Sequence, residues 1–135
     1  MFRIARAEDG QRMMDVTRKE ISCTRDWEDE TFTTYLGYYI ASGLAITDGE
    51  GYCIGRPVKE VSTGVKDRYA IDWDGHCMWV ESVAGCKCKM GKAIRYSLSL
   101  LKTYGCDIRL IAWNRTHLDR PEPVIMEINR ILRFV

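Results

Sequence analysis

The sequence predicts an α/β (α+β) domain with a mixed central sheet flanked by helices, in the order β-α-α-β-β-β-α-β-α. Three consecutive segments carry this prediction. Residues 76–84 form a short apolar run without a helical period, which indicates a strand buried on at least one face. From residue 90 to residue 104 the apolar side chains recur at i, i+3 and i+4 spacing, which indicates a helix that ends before Gly105. Residues 107–113 form a second short apolar run, so the three segments predict a right-handed βαβ unit.

Length and composition predict one domain, residues 1–135, that is large enough to bury a real core. With 46% hydrophobic and 29% charged residues, the composition is ordinary for a globular protein. A net charge of +1 gives no reason to expect nucleic acid or an anionic membrane as a partner. No apolar run approaches the length of a membrane span, and the N-terminus carries charge where a signal peptide needs an apolar core. We therefore expect a cytoplasmic protein.

The first half of the chain predicts one strand, two helices and a hairpin. Residues 29–42 carry an aromatic and apolar stripe of helical period, with Gly43 placed to end the helix. The pair Asp48-Gly49 supplies the positive φ angles that a hairpin turn requires. The predicted elements are a strand at 2–5, helices at 11–21 and 29–42, and hairpin strands at 44–47 and 52–54.

The segment after the hairpin leaves its elements undecided. Pro57 interrupts the return strand, which predicts an edge strand or a bulge, with the strand resuming at 58–61. Residues 62–68 are predicted to form a loop. Residues 69–73 fit either a further strand or the start of the strand that contains Trp79, and the pattern does not separate the two.

The C-terminal segment predicts a polar connection and a last helix. Residues 114–120 are polar and irregular. Pro121 and Pro123 suit a helix start. An apolar stripe then follows at Ile125, Ile128, Leu132 and Val135.

Six cysteines raise the question of disulfides or a metal site. A disulfide framework is not expected in an intracellular chain with enough apolar residues to fold. Cys86 and Cys88 are spaced C-x-C, and the sequence contains no C-x-x-C pair of the kind found in zinc knuckles. We therefore expect reduced cysteines and no metal. A small zinc-binding module, with Cys77, Cys86, Cys88 and Cys106 as ligands, stays open as a third and weaker hypothesis. His76 and His117 have no visible partner and are predicted to be a strand-edge residue and a loop residue.

The turn before the predicted helix is a candidate anion site. Lys87, Lys89 and Lys92 lie beside the first N–H groups of that helix, which have no partner within it. A helix N-terminus with cationic neighbours favours a phosphate or pyrophosphate. A helix start with solvated lysines explains the same pattern, so both interpretations stay open.

The order of elements, with these residues, resembles the GNAT superfamily of acyl-CoA-dependent N-acetyltransferases. The opening Phe-Arg-Ile-Ala-Arg-Ala-Glu-Asp, residues 2–9, is similar to the I-R-x-A-x-x-x-D start common in that family. The helix pair and the hairpin at 44–54 match its early topology. The strand, turn and helix from 76 onward look like its acyl-CoA motif, and residues 107–114 look like its next strand, which often ends in asparagine.

The resemblance implies acetyl-CoA as cofactor and an amine of a small molecule or peptide as acceptor. Glu81, on the central strand, is the implied general base, although an outward-facing glutamate in the strand's polar alternation explains it equally well. The backbone N–H of Val83 or Ala84 would polarise the thioester carbonyl. The implied cofactor-binding residues are Val83, Ala84, Cys86, Lys87, Lys89, Gly91, Lys92 and Asn114.

The chain departs from the family's pattern in three places. The family's pyrophosphate loop, Arg/Gln-x-x-Gly-x-Gly/Ala, aligns here with Cys86, Lys89 and Gly91, so only the last glycine is kept. A side chain at position 89 hinders close approach of the backbone to phosphate, although its charge offsets this in part. No tyrosine follows Asn114 to protonate the departing thiolate. The chain also ends where family members continue into a closing hairpin.

These departures favour a second hypothesis, a GNAT-like domain without catalysis that serves as a structural or binding protein. Short, divergent GNAT-like proteins of bacteriophages, including virion components, resemble this chain in brevity and motif loss. That origin implies the host cytoplasm or the virion as location. A sheet that ends early leaves an exposed edge, which predicts a homo-oligomer or a protein partner there.

Overall fold

A six-stranded mixed sheet forms the centre of the molecule, in a computed structural model that describes residues 1–114 and 122–133. The strands follow one another across the sheet in chain order, and all neighbours are antiparallel except the fourth and fifth, which are parallel. This confirms the predicted mixed α/β class. The strands are β1 (Arg3–Ile4), β2 (Ala45–Thr47), β3 (Tyr52–Val58), β4 (Cys77–Ala84), β5 (Leu110–Trp113) and β6 (Val124–Glu127).

The α-helices in the described part of the chain are α1 (Gly10–Glu20), α2 (Asp29–Ala41), α3 (Val61–Lys66), α4 (Met90–Thr103) and α5 (Ile128–Ile131). The predicted helices at 11–21, 29–42 and 90–104 are confirmed to within one residue at each end. Gly43 and Gly105 follow α2 and α4 with φ of 74° and 91°, as helix-ending glycines do. Met90 and Tyr104, predicted to lie on the buried stripe of α4, are exposed because they occupy its two ends.

The helices cover both faces of the sheet, and two neighbouring residues of β3 demonstrate this. The Tyr52 hydroxyl lies 2.5 Å from the Thr17 hydroxyl on α1. Ser97 on α4 donates to the sulfur of Cys53 at 3.6 Å. Because consecutive strand residues point to opposite faces, α1 and α4 lie on opposite sides of the sheet. Every residue of β3 is buried as a result.

Strand β3 runs through Pro57 without interruption, so the predicted break at 55–57 is wrong. The physical reason lies in its neighbours. β2 pairs only with the first three residues of β3, so from Gly55 onward β4 is the strand partner within the described sheet. Pro57 therefore occupies a locally open edge, where its missing N–H breaks no ladder. The predicted bulge does occur nearby, where Ile54 pairs with Ser82 and Gly55 with Val80.

Three other predictions are corrected by long-range packing. Residues 61–66 form α3, where a strand end and a loop were predicted, and residues 69–73 belong to no strand. Residues 124–127 form β6, antiparallel to β5, where a helix was predicted from 121 onward. β5 is therefore covered, and the outer strand is β6 rather than a truncated edge at β5. His117 and Val135 lie outside the described residues.

Two further features of the described residues bear on function. None of their helices has the length and apolar character that crossing a bilayer requires. Cysteines 53, 77, 86 and 106 are buried as small apolar residues, whereas Cys23 and Cys88 are exposed. Among residues 1–114 and 122–133, no three His, Cys, Asp or Glu side chains converge on a metal-sized site.

Candidate active site

The parallel strands β4 and β5 separate after four residue pairs. The last pair joins Val80 to Trp113, while β4 continues to Ala84. On its other edge this end of β4 stays paired with β3, up to Tyr52 opposite Ala84. Within the described residues, the edge of 81–84 that faces β5 has no strand partner. Since backbone N–H groups alternate between the two edges of a strand, some of them point into this opening.

A cleft of about 400 Å³ occupies the opening between the strands. One end of the cleft is formed by the tips of β4 and β5, including Val83 and Asn114, and by Met90 at the start of α4. The other end lies under α2 and the connection that precedes it, where Trp27 and Tyr35 provide aromatic walls. The charged side chains lining the cleft are Glu81 and Arg68, so the rest of its described wall is neutral.

Glu81 lies in the wall of this cleft, at the residue that the bulge adds to β4. Its Oε2 accepts a hydrogen bond of 2.6 Å from the Tyr35 hydroxyl. Its Oε1 accepts from Arg56 Nε at 3.1 Å and from Arg56 Nη2 at 2.9 Å. Burial raises the pKa of Glu81 above the usual range of glutamate, against the lowering effect of these two partners. The outward-facing, solvated glutamate that strand alternation also suggested does not occur.

Arg56 holds Glu81 and the neighbouring loop together. Its side chain is fully buried. Besides Glu81, it donates to the Ala70 carbonyl at 2.5 Å and to the Gly64 carbonyl at 3.0 Å. The sequence reasoning missed this residue because Pro57 beside it suggested a break in the strand. The available signal was a single arginine in an otherwise apolar strand.

A chain of three hydroxyls ends at the cleft. Thr17 donates to the Met13 carbonyl at 2.6 Å, so its oxygen must accept from Tyr52 at 2.5 Å. Tyr52 has one proton, so its 2.7 Å bond with Ser82 must be donated by Ser82. Burial raises the pKa of Tyr52 to about 12, which keeps that proton in place. Ser82, which lines the cleft, therefore presents only acceptor lone pairs to it.

The predicted pyrophosphate turn has a different charge arrangement from the one the sequence suggested. Lys89 Nζ lies 3.2 Å from Asp48 Oδ2 in the β2–β3 turn. Burial of Asp48 opposes ionisation, but N–H groups of Gly51 and Glu50 and the Lys89 ammonium outweigh it and lower the pKa of Asp48 to about 2. Lys89 therefore forms an ion pair with Asp48. Lys87 is exposed, with a left-handed φ of 45°.

The remaining predicted cofactor-binding residues lie in different parts of the structure and do not form one site. Ala84 and Cys86 are buried, and burial raises the pKa of the Cys86 thiol to about 11. Gly91 lies in the first turn of α4. Lys92 lies on another side of α4, in a wider groove that includes residues of α5. Of the eight predicted residues, Val83 and Asn114 line the cleft.

The solved structures similar to this chain include two acetyltransferases, whereas no family model and no curated protein matches the chain. One is a GNAT family acetyltransferase from Listeria monocytogenes 4b F2365, with 13% identity and a TM-score of 0.49, aligned over 84% of this chain and 74% of that one. The other is an acetyltransferase with 14% identity and a TM-score of 0.49, over 84% and 79% of the two chains. At these values, function has to be inferred from the geometry of the cleft.

Proposed function

We propose that this chain is an acyl-CoA-dependent N-acetyltransferase of GNAT type, which transfers an acetyl group from acetyl-CoA to an amine. The observation that carries the proposal is the separation of β4 and β5 after Val80 and Trp113. A pantetheine arm is an extended chain with two amide groups. It can therefore lie beside β4 and bond to backbone groups of 81–84 that no strand of the described residues pairs with, as an added strand would.

The pyrophosphate would lie at the start of α4, which follows this end of β4 after a 3-10 turn at Lys87–Lys89. The first N–H groups of α4 have no partner in the helix, and they carry the positive end of its dipole. Lys87 is exposed beside them and, unlike Lys89, forms no ion pair within the described residues. Lys92 contributes less, because it lines the groove beside α5.

The chemistry assigned to the cleft is direct transfer. Glu81, with its raised pKa, takes a proton from the amine as the amine nitrogen attacks the thioester carbon. The backbone N–H of Val83 or Ala84 donates to the carbonyl oxygen as negative charge develops there. The C–S bond then breaks, the amide forms, and the thiolate takes up a proton from solvent.

A second candidate is a GNAT-like protein without catalysis, with a structural or binding role such as that of a phage virion component. One observation favours it. Both oxygens of Glu81 are occupied, by Arg56 and by Tyr35, as in a structural ion pair. In that case the protein's partner would be a second copy or another protein, docked along β6. The first candidate places the protein in the cytoplasm, and the second in the host cytoplasm or the virion.

Calorimetric titration with acetyl-CoA tests the proposal. We expect micromolar binding, about tenfold weaker in Lys87→Glu because a charge-assisted contact to phosphate is lost. Lys19→Glu, an exposed lysine on α1, is the matched control and should bind as the unmodified protein does. No heat, together with no thermal stabilisation at millimolar acetyl-CoA, would contradict both the binding site and the enzyme.

Turnover separates the two candidates. Release of the CoA thiol is measured over a panel of primary amines, with Glu81→Gln beside the unmodified protein. The enzyme predicts release with at least one amine and a rate lowered by about a hundredfold or more in the variant. Binding of acetyl-CoA without release for any amine would favour the non-catalytic protein.

A further inference from the structure

Arg68 lies at the aromatic end of the cleft in a position that suits recognition of an anion. Its guanidinium carbon is 4.8 Å from the centre of the Trp27 ring and 6.0 Å from that of Tyr35. The side chain is exposed, and no carboxylate of the described residues lies within ion-pair distance of it. A guanidinium placed over an aromatic ring still has N–H groups available for a planar, two-point partner.

The loop that carries Arg68 is fixed from three directions. The Tyr39 hydroxyl donates to the Arg68 carbonyl. The Tyr38 hydroxyl donates to the Tyr69 carbonyl at 2.7 Å. Arg56 donates to the next carbonyl along the chain, as described above. The backbone is thus held at Arg68 and at the two residues after it, and before it the Asp67 N–H donates to the Thr63 carbonyl at 2.9 Å. Little ordering of the loop is therefore required when a ligand binds.

The charges of the cleft do not cancel. Arg56 and Glu81 form a pair at 2.9 Å, so their charges compensate each other. Arg68 then leaves one positive charge among the described lining residues. A ligand that is only a cation would add to this charge, whereas a carboxylate would neutralise it.

We propose that the acceptor is an amine that also carries a carboxylate, and that Arg68 binds this carboxylate through two N–H groups. The inference rests on the proposed function, because it names the substrate class of the same cleft. Glu81 and the lone pairs of Ser82 receive the amine end, where acceptors are needed. Arg68 therefore determines specificity and takes no part in the bond changes.

Matched pairs of amines with and without the carboxylate test the inference. We would use L-lysine against cadaverine and L-phenylalanine against phenethylamine, with release of the CoA thiol as the signal. The expected result is that kcat/KM for a carboxylated amine exceeds that for its partner by about ten- to a hundredfold, as for a charge-assisted contact. Arg68→Gln should remove this ratio, and Arg68→Lys should remove most of it, because lysine keeps the charge without the fork. Arg6→Gln, an exposed arginine near the N-terminus, should keep it.

Failure of this inference is distinguishable from failure of the enzyme proposal. Equal kcat/KM values within each pair would overturn the role of Arg68 and leave the acetyltransferase intact. If acetyl-CoA is not bound or no amine reacts, the role of Arg68 is tested by calorimetry without cofactor. The binding of N-acetyl-L-phenylalanine is then compared with that of N-acetylphenethylamine. Binding of the carboxylate compound alone, weakened about tenfold or more by Arg68→Gln, would support the site. Equal binding of the two compounds, or binding of neither, would overturn it.

Discussion

Replacing Arg56 by methionine is expected to lower the free energy of unfolding by about 3–5 kcal/mol, the usual cost of removing one partner of a buried ion pair. The burial of both partners leads us to expect a loss in the upper part of that range. Its side chain is fully buried, and that of Glu81 is 12% exposed. The change leaves the buried Glu81 carboxylate with Tyr35 as its remaining side-chain donor. It also removes the Arg56 hydrogen bonds to the carbonyls of Gly64 and Ala70.

Urea unfolding followed by circular dichroism measures the loss. With a denaturant slope of about 2 kcal/mol per molar, the midpoint should fall by about 2 M. Adding Glu81→Leu to Arg56→Met should recover more than half of the loss, because the unpaired buried charge is then gone.

The loss should also depend on pH. Burial raises the folded-state pKa of Glu81 above its ordinary value of 4.5, and removing the Arg56 charge raises it further. The folded state then binds more protons than the unfolded state, so the stability of Arg56→Met falls as the pH rises from 4.5 toward the folded-state pKa. A midpoint that changes by less than about 0.5 M, or a loss that is the same at pH 4.5 and pH 7, would refute this reasoning.

The other predictions concern the turn at Asp48 and two glycines. The pKa of Asp48, about 2 against an ordinary 3.8, contributes about 2 kcal/mol of stability above pH 3.8 that is lost as the pH falls toward 2. Thermal melts of Asp48→Asn should therefore show a lower midpoint than the unmodified protein at pH 7 and a smaller difference at pH 3; an equal difference at both would contradict the assignment. In Gly64→Ala the new Cβ would lie 2.6 Å from the Trp79 ring, so we expect a loss of about 1–3 kcal/mol in urea unfolding. Gly37→Ala, with nothing within 4 Å, should instead gain up to about 1 kcal/mol; the same sign for both would count against the packing described.

The sequence predicted the elements whose pattern is set by their own residues. The stripe of α4 and the glycines after α2 and α4 are local signals, and their helices lie where predicted. β6 was missed because four residues, Val124–Glu127, fit a helix start after two prolines equally well. Pairing with β5 decides between the two, and that is a tertiary contact. α3 was also missed because a tertiary contact determines its sequence. Its Gly64 is unfavourable within a helix, and only the close packing against Trp79 explains why a glycine is needed there.

The site was predictable only in part. Glu81 was named as the candidate base because its strand resembles the family's central strand; it lies in the cleft wall, and its catalytic role stays a prediction. Its partners Arg56 and Tyr35 are 25 and 46 residues away in the chain, so no spacing rule could connect them. Lys89 was read as a phosphate ligand because its partner Asp48 is 41 residues away. Burial and distant charges determine these roles, and both arise only on folding.

We propose that the opening between β4 and β5 binds acetyl-CoA. The most direct measurement is a two-dimensional amide NMR titration of the labelled protein with CoA. The predicted result is a shift of the amides of 82–84, at the start of α4 and at Trp113, at CoA concentrations that match the calorimetric binding. Shifts confined to other surfaces, such as the groove beside α5, or no shifts at millimolar CoA, would contradict it.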